Sequence, residues 1–195
     1  MFSRMSKVVS VLLMAAFLQG CAGAVMVGAV GGAMMLNDER SIGTQLDDGS
    51  IERSINSALR NLDDVANQTN ITAISMNRSV LLIGQAPNSM LRDKAIKAAR
   101  EASNAKRIHN QIRIGNPISF TTKSNDTWIT TKVKTRMINT PDIDVTRIKV
   151  ITENGEVFLL GLISQKDGVK AVDVARNTSG VRKVIKVFEY VSEDN

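Results

Sequence analysis

Residues 70–87, NITAISMNRSVLLIGQAP, align without a gap on residues 147–164, RIKVITENGEVFLLGLIS. A stretch that returns at this spacing means one folding unit built twice. The match extends in both directions. SIERSINSALRNL, before the first copy, pairs with WITTKVKTRMINT, before the second. KAIKAAREASNAKRIHNQIRI, after the first, pairs with KAVDVARNTSGVRKVIKVFEY. Any fold for this chain must therefore be a repeat, and each copy must supply its own core.

Each copy reads helix, strand, strand, helix, strand. Ile51, Ile55, Ala58, Leu59 and Leu62 share one helical stripe. Ile71, Ala73 and Ser75 alternate with polar neighbours, and Val80–Ile83 is an unbroken apolar run closed by Gly84. Leu91, Ala95, Ala98, Ala99 and Ala102 form a second stripe, and Ile108, Ile112 and Ile114 occupy one face of a last strand. In the second copy Asn154-Gly155 lies between two apolar strands, which suits a two-residue hairpin with positive φ at both positions. Gly180 is expected to end the second helix of that copy. The fold class expected is α+β: two domains, 47–115 and 124–195, each αββαβ with a small three-stranded mixed sheet and two helices. Residues 116–123 form the linker.

The strands carry a further constraint. EVFLLGLI (156–163) is apolar on both faces, and VLLIG (80–84) is two-sided as well. A strand apolar on both faces is normally covered on both. Helices cover one side, so the free sheet faces are expected to pack against each other; the alternative is that this surface stays open or forms a homodimer. Gly84 and Gly161 hold matching positions at the ends of these runs, which points to a shared backbone requirement such as a bulge or a close approach.

The N-terminus decides the compartment. Arg4 and Lys7 precede an apolar stretch, Val8–Leu18, too short to span a bilayer. It ends in LQGC, and Cys21 is the single cysteine of the chain. The pattern resembles lipoprotein precursors: residues 1–20 as signal peptide and Cys21 as the acylated first residue of the mature chain. The alternative is a free thiol, a poor fit to an oxidising compartment because it has no partner. Ala22 departs from the Cys-Asp pattern of lipoproteins kept in the inner membrane, which implies the outer membrane. The Gly/Ala-rich segment that follows reads as a flexible tether, so 21–46 is assigned to the lipidated N-terminus and tether.

No constellation for catalysis appears. The single histidine, His109, is out of phase with the isoleucines of its strand and reads as solvated. It has no second histidine or free cysteine to complete a metal site or a nucleophile, and Asp47-Asp48 and Asp63-Asp64 read as solvated caps near helix ends. Catalytic residues, metal ligands and cofactors are all expected to be absent. The formal charge of +6 favours phosphate. A periplasm-facing chain does not meet chromosomal DNA, so lipid rather than nucleic acid is the expected partner.

NDTWITTKVKTR (125–136) holds the lone tryptophan. At roughly 100° per residue, Ile129, Val133 and Met137 make the core stripe, with Trp128 at its edge. Lys132 and Arg136 lie between Trp128 and the stripe, and Thr131 and Thr135 flank the other side. An amphipathic aromatic beside cations suits a lipid headgroup layer. The alternative is that Trp128 closes the edge of the core and the cations are solvated.

The repeat, with SNDTWITTKV and TENGEVFLLGL in its second copy and the lipobox before it, resembles the BON domain as found in outer-membrane lipoproteins. The resemblance implies a non-enzymatic protein that binds anionic phospholipid through its second domain, and the helical angles put Trp128, Thr131, Lys132, Thr135 and Arg136 forward as the contact. It also implies accumulation at the division site, a role in outer-membrane integrity and a link to the outer-membrane protein assembly machinery. Some relatives bear a hemolysin label, but no segment is long and apolar enough to line a pore. The first copy departs from the pattern, with Asn77-Arg78 at its hairpin and Ser50 where the second has Trp128, so the lipid site is not carried over to it. A protein-interaction adaptor is the competing reading. Surface exposure of the anchored protein stays open.

Overall fold

The computed structural model describes residues 42–141 and 143–191. The expected signal peptide, Cys21 and most of the tether lie outside the described residues. The first copy comprises α1 (Ile42–Arg60), α2 (Asp63–Gln68), β1 (Asn70–Met76), β2 (Ser79–Ala86), α3 (Ser89–Glu101) and β3 (Arg107–Ile114). The second comprises α4 (Phe120–Ile138), a 3-10 turn (Val145–Arg147), β4 (Ile148–Glu153), β5 (Glu156–Ile163), α5 (Gln165–Arg176) and β6 (Lys183–Tyr190). Each forms a three-stranded sheet with β2 or β5 in the centre. The hairpin partner is antiparallel and the strand reached through the helix is parallel. The sheets are therefore mixed, and the fold is α+β.

Several elements differ in extent from the sequence reading. α1 already runs from Ile42, inside the segment assigned to the tether. α2 is an additional short helix, with Asp63 and Asp64 in its first turn. α4 opens at Phe120, because the Ser119 side chain accepts from the Thr122 N–H and caps it. α5 ends at Arg176 with Asn177 as its cap, so Gly180 belongs to the turn into β6 and does not end the helix. Ile114, expected on the core face of its strand, is 52% exposed at the strand's end.

The helical stripes fill one face of each sheet. Ile51, Ile55 and Leu59 meet Ala73, Val80, Leu82, Leu91 and Ile112. Ile129, Val133 and Met137 meet Val150, Val157, Leu159, Ile163 and Ala171. A third cluster joins the copies: Met76, Leu81 and Ile83 pack on Phe158, Leu160 and Val187, with Ile74, Ile151 and Ile185 around them. The free faces of the two sheets thus lie back to back, as the two-sided strands require. Each fully buried large apolar side chain here contributes on the order of 1.5–3 kcal/mol.

Both hairpins have positive φ at both central residues, Asn77 and Arg78 in the first and Asn154 and Gly155 in the second. Arginine is poorly suited to that conformation. It is held there by Asp48, only 4% exposed, whose carboxylate accepts from the N–H of Asn77 and of Arg78 and from Ser75 Oγ, each at 2.7 Å. Asp126, at the matching place in α4 and also 4% exposed, accepts from the N–H of Asn154 at 2.6 Å and of Gly155 at 2.8 Å. The reading of Asp48 as a solvated cap is corrected by this: it is a buried acceptor that ties the first helix of its copy to the hairpin.

The paired glycines answer to the same strand approach in two degrees. At Gly84, with φ of +119°, a Cβ would stand 1.7 Å from the Asn70 carbonyl oxygen. At Gly161 it would stand 2.7 Å from the carbonyl of Arg147, with no unusual φ.

Candidate functional site

α4 carries its core residues on one side, with Ile129, Val133 and Met137 essentially inaccessible. Its sole acid, Asp126, is turned into the fold on the hairpin N–H groups. The outward side presents no carboxylate. It presents Trp128, 61% exposed, together with exposed Thr131, Thr135 and Arg136 and half-buried Lys132. The indole therefore does not close the edge of the core. The inward stripe of the helix is formed by Ile129 and Val133, both fully buried.

Two further apolar residues share this side and escaped the sequence reading. Phe120 is 85% exposed and Ile138 is 60% exposed, at opposite ends of the 19-residue helix. At roughly 100° per residue both fall at the same angular position, less than a quarter turn from Trp128. The signal was present, but it required knowing that the helix begins at Phe120. The outward face thus offers an aromatic at its start, an aromatic at its middle and an isoleucine at its end, over about 28 Å.

The cations are partly committed. Lys132 Nζ donates to the Ser179 carbonyl at 2.5 Å and lies 6.0 Å from the centre of the Trp128 ring. Arg136 donates to the Asn177 carbonyl at 3.1 Å. Both carbonyls belong to the turn that follows α5, so the two side chains satisfy acceptors at a helix C-terminus. Each retains N–H groups for a second acceptor. Thr131 donates its hydroxyl proton to the Thr127 carbonyl, so it offers an oxygen outward and no donor. On the opposite flank, a shallow groove of about 430 Å³ between α4 and β4 is lined by Lys123, Thr130, Thr131 and Lys134 together with the acids Asp126 and Glu153.

The matching helix of the first copy lacks these features. Ser50 stands exposed where α4 has Trp128, and α1 contains Asp47, Asp48 and Glu52 against Arg53 and Arg60.

His109 is half-buried rather than solvated. It lies 3.2 Å from Ser79 Oγ, and burial, with Arg107 nearby, pushes its pKa down. Among the described residues no group of acids, histidines or cysteines is placed to hold a metal, and no helix is long and apolar enough to cross a membrane.

Residues 47–116 and 125–192 each match the BON domain. The chain belongs to the BON-domain family. It is 40% identical over 189 residues to the outer membrane lipoprotein DolP of Haemophilus influenzae, covering 97% of this chain and 98% of that one. It is 42% identical over 154 residues to a 21 kDa hemolysin of Actinobacillus pleuropneumoniae, covering 79% of each. A more distant relative, osmotically-inducible protein Y of Escherichia coli, is 23% identical over 146 residues. The near full-length likeness to DolP supports an outer-membrane lipoprotein built on two BON domains.

Proposed function

We propose that this BON protein is anchored through acylated Cys21 to the periplasmic face of the outer membrane and binds anionic phospholipid through α4. Its task is non-enzymatic: it supports the integrity of the outer membrane, with enrichment at the division site. The observation that carries the reading is the mostly exposed Trp128 on a helix face without a single outward acid. An aromatic ring with cations beside it suits the headgroup layer, where the ring sits at the interface and the cations meet phosphate. Phe120 and Ile138 extend the contact along the helix, so that α4 lies in the plane of the membrane rather than entering it end-on. Lys132 and Arg136 keep their structural bonds and offer their remaining N–H groups to lipid phosphate.

Co-sedimentation with phosphatidylglycerol-containing vesicles tests this directly. Binding should rise with the anionic fraction and fall with salt, and Trp128→Ala should remove it. Equal binding to purely zwitterionic vesicles, or none to either, would instead favour the adaptor reading, in which α4 docks the outer-membrane protein assembly machinery.

A further inference from the structure

The seam between the two BON domains has an apolar centre and a charged rim, and the rim is not distributed evenly. The second domain brings three carboxylates to it. Glu189 meets Arg107 at 2.5 Å and accepts from Asn77 Nδ2 at 2.9 Å. Glu156 meets Arg113 at 2.7 Å. Glu153 accepts from Gln85 Nε2 at 2.6 Å. The first domain answers with two guanidiniums and two amides. Two contacts run the other way: Lys149 of the second domain reaches Glu52 and the Ser75 carbonyl of the first, and Lys123 Nζ donates to Asn70 Oδ1 at 2.9 Å.

The repeat gives this arrangement its meaning. Arg113 and Glu189 hold equivalent positions, near the ends of β3 and β6, and bear opposite charges. Each reaches the hairpin end of the other domain: Arg113 reaches Glu156 at the start of β5, and Glu189 reaches Asn77 in the first hairpin and Arg107 at the start of β3. The apolar centre, by contrast, is alike in both domains, with Leu81 and Ile83 on one side and Phe158 and Leu160 on the other. An apolar centre of this kind does not discriminate between a like and an unlike partner. Two first domains joined by the same faces would set Arg113 of each against Arg107 of the other, and two second domains would set Glu189 of each against Glu156 of the other, with Lys183 standing where the first domain has Arg107. Like charges set against each other are an effective means of excluding a wrong partner.

We propose that the back of each BON sheet is an interaction surface for another BON sheet, and that the sign of the rim charges makes it accept the unlike domain only. Arg113 marks the first domain and Glu156 and Glu189 mark the second, while the cation at the start of the last strand, Arg107 or Lys183, is common to both. In the native chain the unlike domain is supplied within the same molecule, so the surface closes on itself and like-with-like association between copies is blocked.

The test uses full chains in detergent, with protein mass read by light scattering and folding followed by far-UV circular dichroism. One chain carries Arg107→Glu and Arg113→Glu, so that both rims are acidic. A second carries Glu156→Arg and Glu189→Arg, so that both are basic. Each alone should melt at a lower temperature than the native chain measured beside it. Mixed in equal amounts they should pair by exchange, doubling the protein mass to a one-to-one complex. A chain with all four substitutions should return to a closed monomer with native-like melting. That last chain decides the matter even if the two parents fold poorly. Parents that remain closed monomers, a mixture that stays at monomer mass, or a four-fold variant that fails to close would each overturn the proposal.

Discussion

Lys132 Nζ donates to the Ser179 carbonyl at 2.5 Å, so the cation beside Trp128 also ties α4 to the turn after α5. The two residues of the proposed lipid contact are therefore not equivalent under mutation. Trp128→Ala removes an exposed ring and should leave stability within about 0.5 kcal/mol of the native chain while vesicle binding is lost. Lys132→Glu should lose binding and also cost about 1 kcal/mol, because it sets a carboxylate against carbonyls at a helix C-terminus. Thermal melting beside vesicle co-sedimentation separates the two effects. Should Trp128→Ala prove strongly destabilising, the ring is structural and the membrane reading fails.

The glycine pair should respond unequally. Gly84→Ala forces a Cβ almost onto the Asn70 carbonyl oxygen and at a positive φ, so β1 must shift or the hairpin open. Gly161→Ala meets the Arg147 carbonyl less severely and without the backbone penalty. Losses of roughly 3 kcal/mol or more and about 1–2 kcal/mol respectively are expected in urea titration. A Gly161 variant at least as damaged as the Gly84 variant would contradict this ranking.

Removing the buried aspartates should expose the same asymmetry. Asp48→Ala strands the N–H groups of Asn77 and Arg78 and the Ser75 hydroxyl, and leaves Arg78 in an unsupported left-handed conformation. Asp126→Ala strands two N–H groups, but over an Asn-Gly turn that holds its own shape. Each unsatisfied buried group costs about 1–3 kcal/mol. Hydrogen exchange at the two hairpins should show the first opening more than the second.

Two groups at the domain seam give opposite pH slopes. Burial, as the largest influence, raises Glu153 above its ordinary 4.5. Its native form thus holds the proton more tightly than the unfolded chain, so it favours folding at low pH and loses that contribution as pH rises through the raised value. Burial lowers His109 below its ordinary 6.5. Its contribution is complete above 6.5 and disappears as pH falls through the lowered value. Glu153→Gln should therefore stabilise the chain at neutral pH, by less than about 1 kcal/mol after solvent screening, and have little effect in acid. His109→Gln should flatten the part of the stability profile that falls below pH 6.5. Melting temperature against pH for the three proteins checks both signs.

Anchoring is tested at Cys21. Cys21→Ser should accumulate unprocessed or leave the outer-membrane fraction, because each acyl methylene buried in lipid contributes about 0.8 kcal/mol and none remains. Unaltered fractionation of the serine variant would refute acylation.

The amino-acid sequence alone determined the repeat, the order of elements and the core stripes, because these are written in short periodicities that hold wherever a helix or strand forms. It also showed that the second sheet face needs a cover, since Val157–Leu160 has apolar residues on both faces and helices can cover only one; that the cover is the other domain rather than a second copy was decided by the tertiary structure. The role of Asp48 and Asp126 was decided by tertiary structure: a carboxylate near a helix start reads as solvated until a hairpin from later in the chain is folded over it. The same holds for Lys132 and Arg136, whose carbonyl partners lie more than forty residues away. Helical angles placed Trp128 beside the core but could not say what covers it. Exposure depends on which elements arrive from elsewhere in the chain, and here they cover Ile129 and Val133 and leave the ring 61% exposed. Charge at the domain seam follows the same logic: Arg113 and Glu189 are unremarkable surface residues in sequence, and only the back-to-back packing of two mixed sheets sets each against its opposite.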